Sequence, residues 1–139
     1  MYWDRGLDAA PEVVHLAYRS WREMNPGWEV RFLDDATAAR YLDVGTLFGV
    51  ASLQHTVAAR SDYLRTYLLA RHGGVWADAT AWCWRPLDDW LTGETADTGF
   101  FIFRQPESKE DRQITSWFIA SAPGNSITVA QFQIGRAHV

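Results

Sequence analysis

An acidic residue interrupts an apolar run in the middle of the chain. Residues 75–84 read Val-Trp-Ala-Asp-Ala-Thr-Ala-Trp-Cys-Trp, and the run breaks at Asp78. Burying a carboxylate costs on the order of several kcal/mol unless it is paired or meets a cation. In extended geometry Asp78 and Thr80 point the same way, so they could hold Mg²⁺, Mn²⁺ or a ribose hydroxyl. A hydrogen-bonded structural aspartate is the more common reason for such a pattern, and both interpretations stay open.

A second pair of charged residues, Asp62 and Arg65, lies three residues apart in the segment before that run. On a helix the two side chains are neighbours away from the predicted apolar face, which is usual for a solvated ion pair. The same pair can bind a sugar, because Asp accepts from hydroxyls and Arg donates to hydroxyl or phosphate oxygens. Since only the helix end and Gly73-Gly74 separate this pair from Asp78, one shared site is plausible.

The elements that must position these residues alternate between helices and strands, which predicts an α/β fold with a parallel sheet. In the first half of the chain we expect a helix that Asp8 caps and Asn25–Gly27 ends, a strand at Trp28–Leu33, a short helix at Ala36–Leu42 capped by Asp34 or Asp35, and a helix at about Leu53–His72. In the second half we expect a strand in the first residues of Val75–Trp84, a strand at Gly99–Arg104, a polar loop at Glu107–Arg112, and a strand or helix at Ile114–Ala122.

Helical spacing predicts which side chains of the two long helices face the core. Gly73-Gly74 supplies the positive φ that a helix C-terminus commonly needs. The predicted core positions are Val14, Ala17, Trp21 and Met24 in the first long helix, and Val57, Ser61, Leu64 and Leu68 in the second.

Composition excludes several classes of protein. The chain has 139 residues, 13 Lys+Arg against 17 Asp+Glu and a net charge of -4, so it lacks the basic patch of a nucleic-acid-binding protein. No apolar stretch approaches the ~20 residues that span a bilayer. The single cysteine, Cys83, excludes an internal disulfide and fits a reducing, cytoplasmic setting. The 14% of aromatic residues suit a small core, although Trp and Tyr also stack on sugar rings.

Two central segments carry a specific resemblance: Ala59-Arg-Ser-Asp-Tyr-Leu-Arg65 and Gly73-Gly-Val-Trp-Ala-Asp-Ala-Thr80. Together they resemble the glycosyltransferases with a sugar-binding DXD region, and most of all the capsular polysaccharide synthesis proteins related to family-32 glycosyltransferases. Further segments that agree in order are Tyr2–Gly6, Ala10–Val13, Ser20-Trp21, Asn25–Trp28, Leu33–Asp35, Arg85–Leu91 and Ser116–Asn125.

The resemblance implies a GT-A (Rossmann-like) fold and transfer of a sugar, with retention, from a nucleotide-sugar donor (commonly a UDP-sugar) to a glycan acceptor. It assigns Asp62 and Arg65 to the donor sugar and makes Asp78 the first acid of DXD, which meets ribose or sugar hydroxyls and the metal. Trp3 becomes a candidate for binding the nucleotide by stacking on the nucleobase of the donor. Thr80 stands where most DXD enzymes have a second acid, which puts in doubt the use of Mn²⁺ or Mg²⁺.

We interpret residues 1–133 as part of a GT-A domain that is truncated at both ends. Residues 134–139 are expected to be a non-native tail, since one back-translation of them reads as the start of a sequencing adapter. The expected location is cytoplasmic, with peripheral association with a membrane biosynthetic complex as a further option. Two alternatives stay open: a non-catalytic carbohydrate-binding module, and an inert truncated fragment with unpaired sheet edges.

Overall fold

The computed structural model describes residues 1–42, 56–105 and 114–137, which form a mixed α/β arrangement. The predicted loop at Glu107–Arg112 and the predicted helix start at residues 53–55 lie outside the described residues. The elements are helices α1 (Glu12–Met24), α2 (Asp35–Ala38), α3 (Val57–His72), α4 (Leu91–Thr95) and α5 (Ser126–Ala137), strands β1 (Gly74–Ala77), β2 (Phe100–Arg104) and β3 (Ile114–Ser121), and short 3-10 helices at Leu7–Ala9, Ala39–Tyr41 and Leu87–Asp89.

The three strands form one antiparallel sheet in the order β1-β3-β2, so the expected parallel sheet is wrong for the described strands. Trp76 pairs with Ile119 and Phe101 with Ala120, and β3 runs opposite to both of its neighbours. Among the described residues, the one parallel pairing is an isolated bridge between Tyr2 and Leu33. Strand direction follows from which segments pair in space, and local apolar patterning does not encode that choice.

The predicted strand at Trp28–Leu33 is also wrong, because only Leu33 enters a strand-like pairing. Leu33 N–H donates to the carbonyl of Met1, and Trp3 N–H donates to the carbonyl of Leu33. The N–H of Gly6 donates to the carbonyl of Trp3, so the N-terminal segment turns after Trp3 and leaves the segment 28–33. The ladder therefore ends after one bridge, although the side chains of the segment alternate as in a strand.

Strand β1 covers the first residues of the segment Val75–Trp84, as predicted, and it ends at Ala77. The N–H of Ala81 donates to the carbonyl of Asp78 at 2.9 Å, which closes a tight turn immediately after the strand. Asp78 and Thr80 consequently do not lie in extended geometry. The expectation that their side chains point the same way by strand alternation is wrong for that reason.

The predicted face of α1 is confirmed at three positions, since Val14, Ala17 and Trp21 are buried. Met24 is exposed because it lies in the last turn, where Asn25 ends the helix. The helix begins at Glu12, and Asp8 does not cap it but lies in the preceding 3-10 helix.

The ends of α2 and α3 follow their predicted signals. Asp34, one of the two aspartates that the sequence offered as the cap, caps α2 in a reciprocal capping box with Thr37. Gly73 ends α3 with a φ of 67°. A Cβ at Gly73 would lie 2.6 Å from the backbone nitrogen of Pro123, so only glycine fits this approach of helix end to β3.

The core lies on both faces of the sheet, because alternate residues of β1 and β3 point to opposite sides. One cluster joins Trp76 and Ile119 to Leu64 and Leu69 of α3. The other joins Ala77 and Phe118 to side chains of α1, α4 and the chain between β1 and α4, namely Trp21, Cys83, Leu87 and Leu91. Helices α1 and α3 thus cover opposite faces and fix the end of β1 between them.

Helix α5 packs against α3, where Phe132 makes edge-to-face ring contacts with Tyr63 and Tyr67. Asn125 caps α5 by accepting from the N–H of Ile127. The helix continues through Ala137, so most of the segment 134–139 is helical although no pattern in the sequence indicated it. The non-native origin of that segment stays a prediction.

Candidate functional site

Arg65 lies at the centre of the candidate site, between the two aspartates that the sequence singled out. Its Nη2 donates to Oδ1 of Asp62 at 2.7 Å, and its Nη1 lies 3.9 Å from Oδ1 of Asp78. The side chain of Arg65 is 9% exposed and that of Asp62 is 65% exposed. The interpretation of the two residues as a solvated pair therefore does not hold for Arg65, whose side chain is buried, although it does describe the exposed side chain of Asp62.

Asp78 is held in place by its neighbours yet remains reachable from solvent. Its Oδ1 accepts from the indole Nε1 of Trp76 at 2.8 Å, and its own N–H donates to the carbonyl of Trp117 at 2.8 Å. The side chain is 40% exposed. A carboxylate fixed by a neighbouring donor but open on one side can still accept from ligand hydroxyls or meet a cation.

Three buried side-chain donors among the described residues have no hydrogen-bond partner: Nε1 of Trp3, Nε of Arg60 and Nε of Arg65. An unpaired buried donor costs about 1–3 kcal/mol, so each one requires a physical reason.

Arg60 pairs with a second acidic residue, Asp35. Arg60 Nη1 donates to Oδ2 of Asp35 at 2.7 Å, and the hydroxyl of Tyr2 donates to Oδ1 of the same carboxylate at 2.5 Å. Burial and the adjacent carboxylate raise the pKa of Tyr2 far above its ordinary value. In the described part of the chain, no hydrogen bond or ion pair links Trp3 to the Asp62–Arg65–Asp78 group, so base stacking by Trp3 stays a prediction.

Thr80 is exposed in the turn that follows β1, and no hydrogen bond joins it to Asp78 in the described structure. Within residues 1–42, 56–105 and 114–137, no group of three or more His, Cys, Asp or Glu side chains could hold a metal ion.

Comparison with known proteins gives the family. The family model described as capsular polysaccharide synthesis protein matches residues 1–133, which is nearly the whole chain. The chain belongs to the capsular polysaccharide synthesis protein family. The resemblance seen in the sequence is confirmed by this match, and the matched range contains Asp62, Arg65, Asp78 and Thr80.

This member of the capsular polysaccharide synthesis family is also similar to a curated fungal protein. It is 32% identical over 143 residues to "Glycosyltransferase afumC" of Aspergillus fumigatus (strain CBS 144.89 / FGSC A1163 / CEA10). The match covers 89% of this chain but 36% of the relative, so the chain spans about a third of that relative's length. No solved structure matches the chain. No helix in the described residues is long and apolar enough to cross a membrane.

In this family member, α1 fixes the chain that follows the candidate site, an arrangement that sequence reasoning missed. Trp21 Nε1 donates to the carbonyl of Ala81 at 2.7 Å, and the hydroxyl of Ser20 accepts from the N–H of Cys83 at 2.9 Å. Asn25 Oδ1 accepts from the N–H of Leu87 at 2.7 Å. The sequence predicted Trp21 as a core position and Asn25 as part of the helix end, but it did not predict their hydrogen bonds to the chain after Asp78. The polar groups that Ser20, Trp21 and Asn25 carry at or next to core-facing positions were the available signal.

Proposed function

We propose that the protein is a glycosyltransferase that moves a sugar from a nucleotide-sugar donor, most commonly a UDP-sugar, to a glycan acceptor in capsular or surface polysaccharide synthesis. The observation that carries this proposal is the position of Arg65 between Asp62 and Asp78. Family membership and the glycosyltransferase name of the fungal relative support transfer of a sugar at the general level. The GT-A fold and a cytoplasmic location belong to the same proposal.

Donor recognition is assigned to the three charged side chains. Asp62 is mostly exposed, so its carboxylate accepts from sugar hydroxyls without losing its contact with Arg65. Arg65 positions the carboxylate of Asp62 through its Nη2 and is assigned to the same donor sugar. Asp78 accepts from ribose or sugar hydroxyls, since its neighbours fix the carboxylate but leave it partly exposed.

A divalent cation, Mn²⁺ or Mg²⁺, fits the site only in part. Asp78 offers one carboxylate and Thr80 a hydroxyl, and Mg²⁺ is commonly bound by one or two carboxylates together with substrate phosphates. When bound, the ion would supply positive charge that stabilises the departing diphosphate.

In the proposed reaction, the bond between the anomeric carbon and the diphosphate oxygen breaks, and an acceptor hydroxyl oxygen bonds to that carbon. With retention, the acceptor approaches from the face that the diphosphate leaves, so the hydroxyl proton passes to the departing oxygen. The charged side chains hold the donor in the geometry for this step. Asp78 is the proposed catalytic residue because it touches the donor next to the bond that breaks.

A non-catalytic carbohydrate-binding module is the second candidate function. The exposed side chains of Trp82 and Trp84 favour it, because aromatic faces open to solvent stack on sugar rings. This alternative leaves the Asp62–Arg65–Asp78 group without a role. It predicts glycan binding that does not depend on any nucleotide.

Calorimetric titration of the complete protein with UDP and a panel of UDP-sugars, with and without Mn²⁺, tests the proposal. We expect at least one UDP-sugar to bind, and both Asp78→Asn and Asp62→Asn to weaken its binding about tenfold or more. Asp97→Asn, which neutralises an exposed aspartate elsewhere, is the matched control and should leave the affinity unchanged. If a folded sample binds no nucleotide, or if the two site variants bind as the wild type does, the assignment is wrong.

A further inference from the structure

A groove runs along the edge of β1 that faces away from β3. The sheet order is β1-β3-β2, so among the described strands β1 has a partner on one edge only. The groove has a volume of about 320 Å³ and is lined by β1, by residues of the segment 28–33 and by Met1. It therefore lies in the layer of the sheet itself, where a further strand would pair with β1.

The backbone of β1 directs hydrogen-bonding groups into this groove. The N–H of Asp78 donates to the carbonyl of Trp117 on β3, and in an antiparallel pair every second residue bonds the same neighbour. Trp76 and Asp78 therefore bond β3, whereas the N–H and C=O groups of Val75 and Ala77 point into the groove. Ala77 is 4% exposed, so little water reaches its backbone. Backbone groups with so little access to water are almost always paired in native proteins.

The opposite wall of the groove carries the start of a parallel ladder. The Met1 amine donates to the carbonyl of Arg31 at 3.1 Å, and the N–H of Leu33 donates to the carbonyl of Met1 at 2.9 Å. The N–H of Trp3 then donates to the carbonyl of Leu33 at 3.0 Å. These three bonds alternate between the two segments as they do in a parallel pair. An extended chain joined to the Met1 nitrogen would continue the same ladder back along residues 28–30.

The Met1 amine lies at the end of the groove that is next to Asp78. Removal of water from the ammonium lowers its pKa to about 6, and the nearby carboxylate of Asp78 opposes that shift. A peptide N–H at the same position would keep the bond to Arg31 and carry no charge, so it would avoid this desolvation cost. Because Gly73 and Gly74 also line the groove, a strand that leads into Met1 runs from the start of β1 toward its end.

Both faces of the groove are apolar. Leu69 of α3 lines it from one cluster of the core, and Trp21 and Leu87 line it from the other. Tyr2 packs in the first cluster and Met1 against the second, so alternate residues of a strand that precedes them would face the two clusters in turn. A strand buried on both faces is typically a continuous apolar run. The groove thus fits a short strand rich in Val, Ile or Leu.

We propose that this groove binds a β-strand formed by the residues that precede Met1 in the complete protein, parallel both to residues 28–33 and to β1. The chain spans about a third of the length of its curated relative, so a protein of that length has further chain to supply such a strand. The added strand makes the sheet mixed, and its carboxyl end lies beside that of β1, which Asp78 follows. This inference does not depend on the proposed glycosyl transfer.

Amide hydrogen exchange, measured by NMR on the complete protein, tests the inference. The comparison is a variant in which the residues before Met1 are replaced by Gly-Ser repeats of the same length, which form no stable strand. We expect the amides of Val75 and Ala77 to exchange at least about tenfold faster in this variant, while Trp76, which bonds β3, changes less. Ile102 on β2, at the opposite edge of the sheet, is the matched control and should keep its rate.

A second variant tests whether strand formation itself is the cause. It carries four valines directly before Met1, which match the four residues of β1, in place of the last Gly-Ser repeats. Valine has high β propensity, so this variant should restore slow exchange at Val75 and Ala77. If the Gly-Ser variant unfolds, Trp76 also exchanges fast, and recovery of the fold by the four valines then supports the inference, whereas no recovery contradicts it.

Three other outcomes would overturn the inference. One is a complete protein whose N-terminus, read by mass spectrometry, is Met1. Another is equal exchange of Val75 and Ala77 in the complete protein and the Gly-Ser variant, since the preceding residues then do not cover this edge of β1. The third is protection of both amides only at concentrations where sedimentation shows a dimer, which would assign the groove to a second copy of the chain. UDP-sugar binding enters none of these measurements, so the proposed function is tested separately.

Discussion

Arg65 on α3 reaches to 3.9 Å from Oδ1 of Asp78, which follows the end of β1. This contact joins a helix to a strand end and makes one group of three side chains that are separated along the chain. Because the guanidinium is buried and its Nε is unpaired, the protein bears an energetic cost at this position. The predictions on donor binding follow from this arrangement.

Arg65→Lys should weaken binding of the preferred UDP-sugar about tenfold. Lysine keeps the charge but lacks the planar fork that lets one guanidinium face both Asp62 and Asp78. Calorimetric titration of the complete protein measures the change. Arg71→Lys, on an exposed position in the last turn of the same helix, is the matched control. Equal affinities for the wild type and Arg65→Lys would remove Arg65 from the donor site.

Thr80→Asp should increase the gain in UDP affinity that Mn²⁺ produces, because it restores the second carboxylate of a DXD motif. Whether UDP affinity in Mn²⁺ rises or falls in this variant shows whether a metal binds at the Asp78 turn. If no metal binds at the Asp78 turn, an added carboxylate repels the diphosphate, and UDP binding in Mn²⁺ becomes weaker than in the wild type. Thr92→Asp adds the same charge to an exposed position outside the turn, and it should change the UDP affinity neither with nor without Mn²⁺.

Gly73→Ala should lower the free energy of unfolding by at least about 2 kcal/mol. The new Cβ would meet backbone atoms of Pro123 and Ser121 at 2.6 and 2.8 Å, and the φ of 67° disfavours any side chain. Urea denaturation measures the difference. Gly27→Ala, where no atom lies within 4 Å of the added Cβ, should change the stability by less than about 0.5 kcal/mol. Similar losses in both variants would contradict the explanation.

Asn25→Ala should lower the free energy of unfolding by about 2–3 kcal/mol, since it leaves the buried N–H of Leu87 without its acceptor. The same variant should weaken UDP-sugar binding, because the chain after Asp78 loses one of its ties to α1. Glu23→Ala, at an exposed position on the same helix, should affect neither property. Wild-type stability in Asn25→Ala would mean that other contacts fix this segment.

Much of the local structure could be predicted from the sequence. The buried face of α1, the capping of α2 by Asp34 and the end of α3 at Gly73 all depend on residues within a few positions of one another. The family resemblance was carried by short motifs in a fixed order, and the family match over residues 1–133 confirmed it. The candidate group of Asp62, Arg65 and Asp78 was also indicated by spacing and by the short connection between helix and strand.

The tertiary structure decided what local patterns do not encode. Strand direction depends on pairing between distant segments, so the alternating residues 28–33 did not form a strand and the sheet became antiparallel. The burial of Arg65 and the placing of Trp117 beside Asp78 depend on the same long-range packing. The sequence determined which side chains can do chemistry, because residue type and helical spacing are local. Which of them meet, and which aromatic faces stay open, followed only from the assembled fold, because those contacts join segments far apart in the chain.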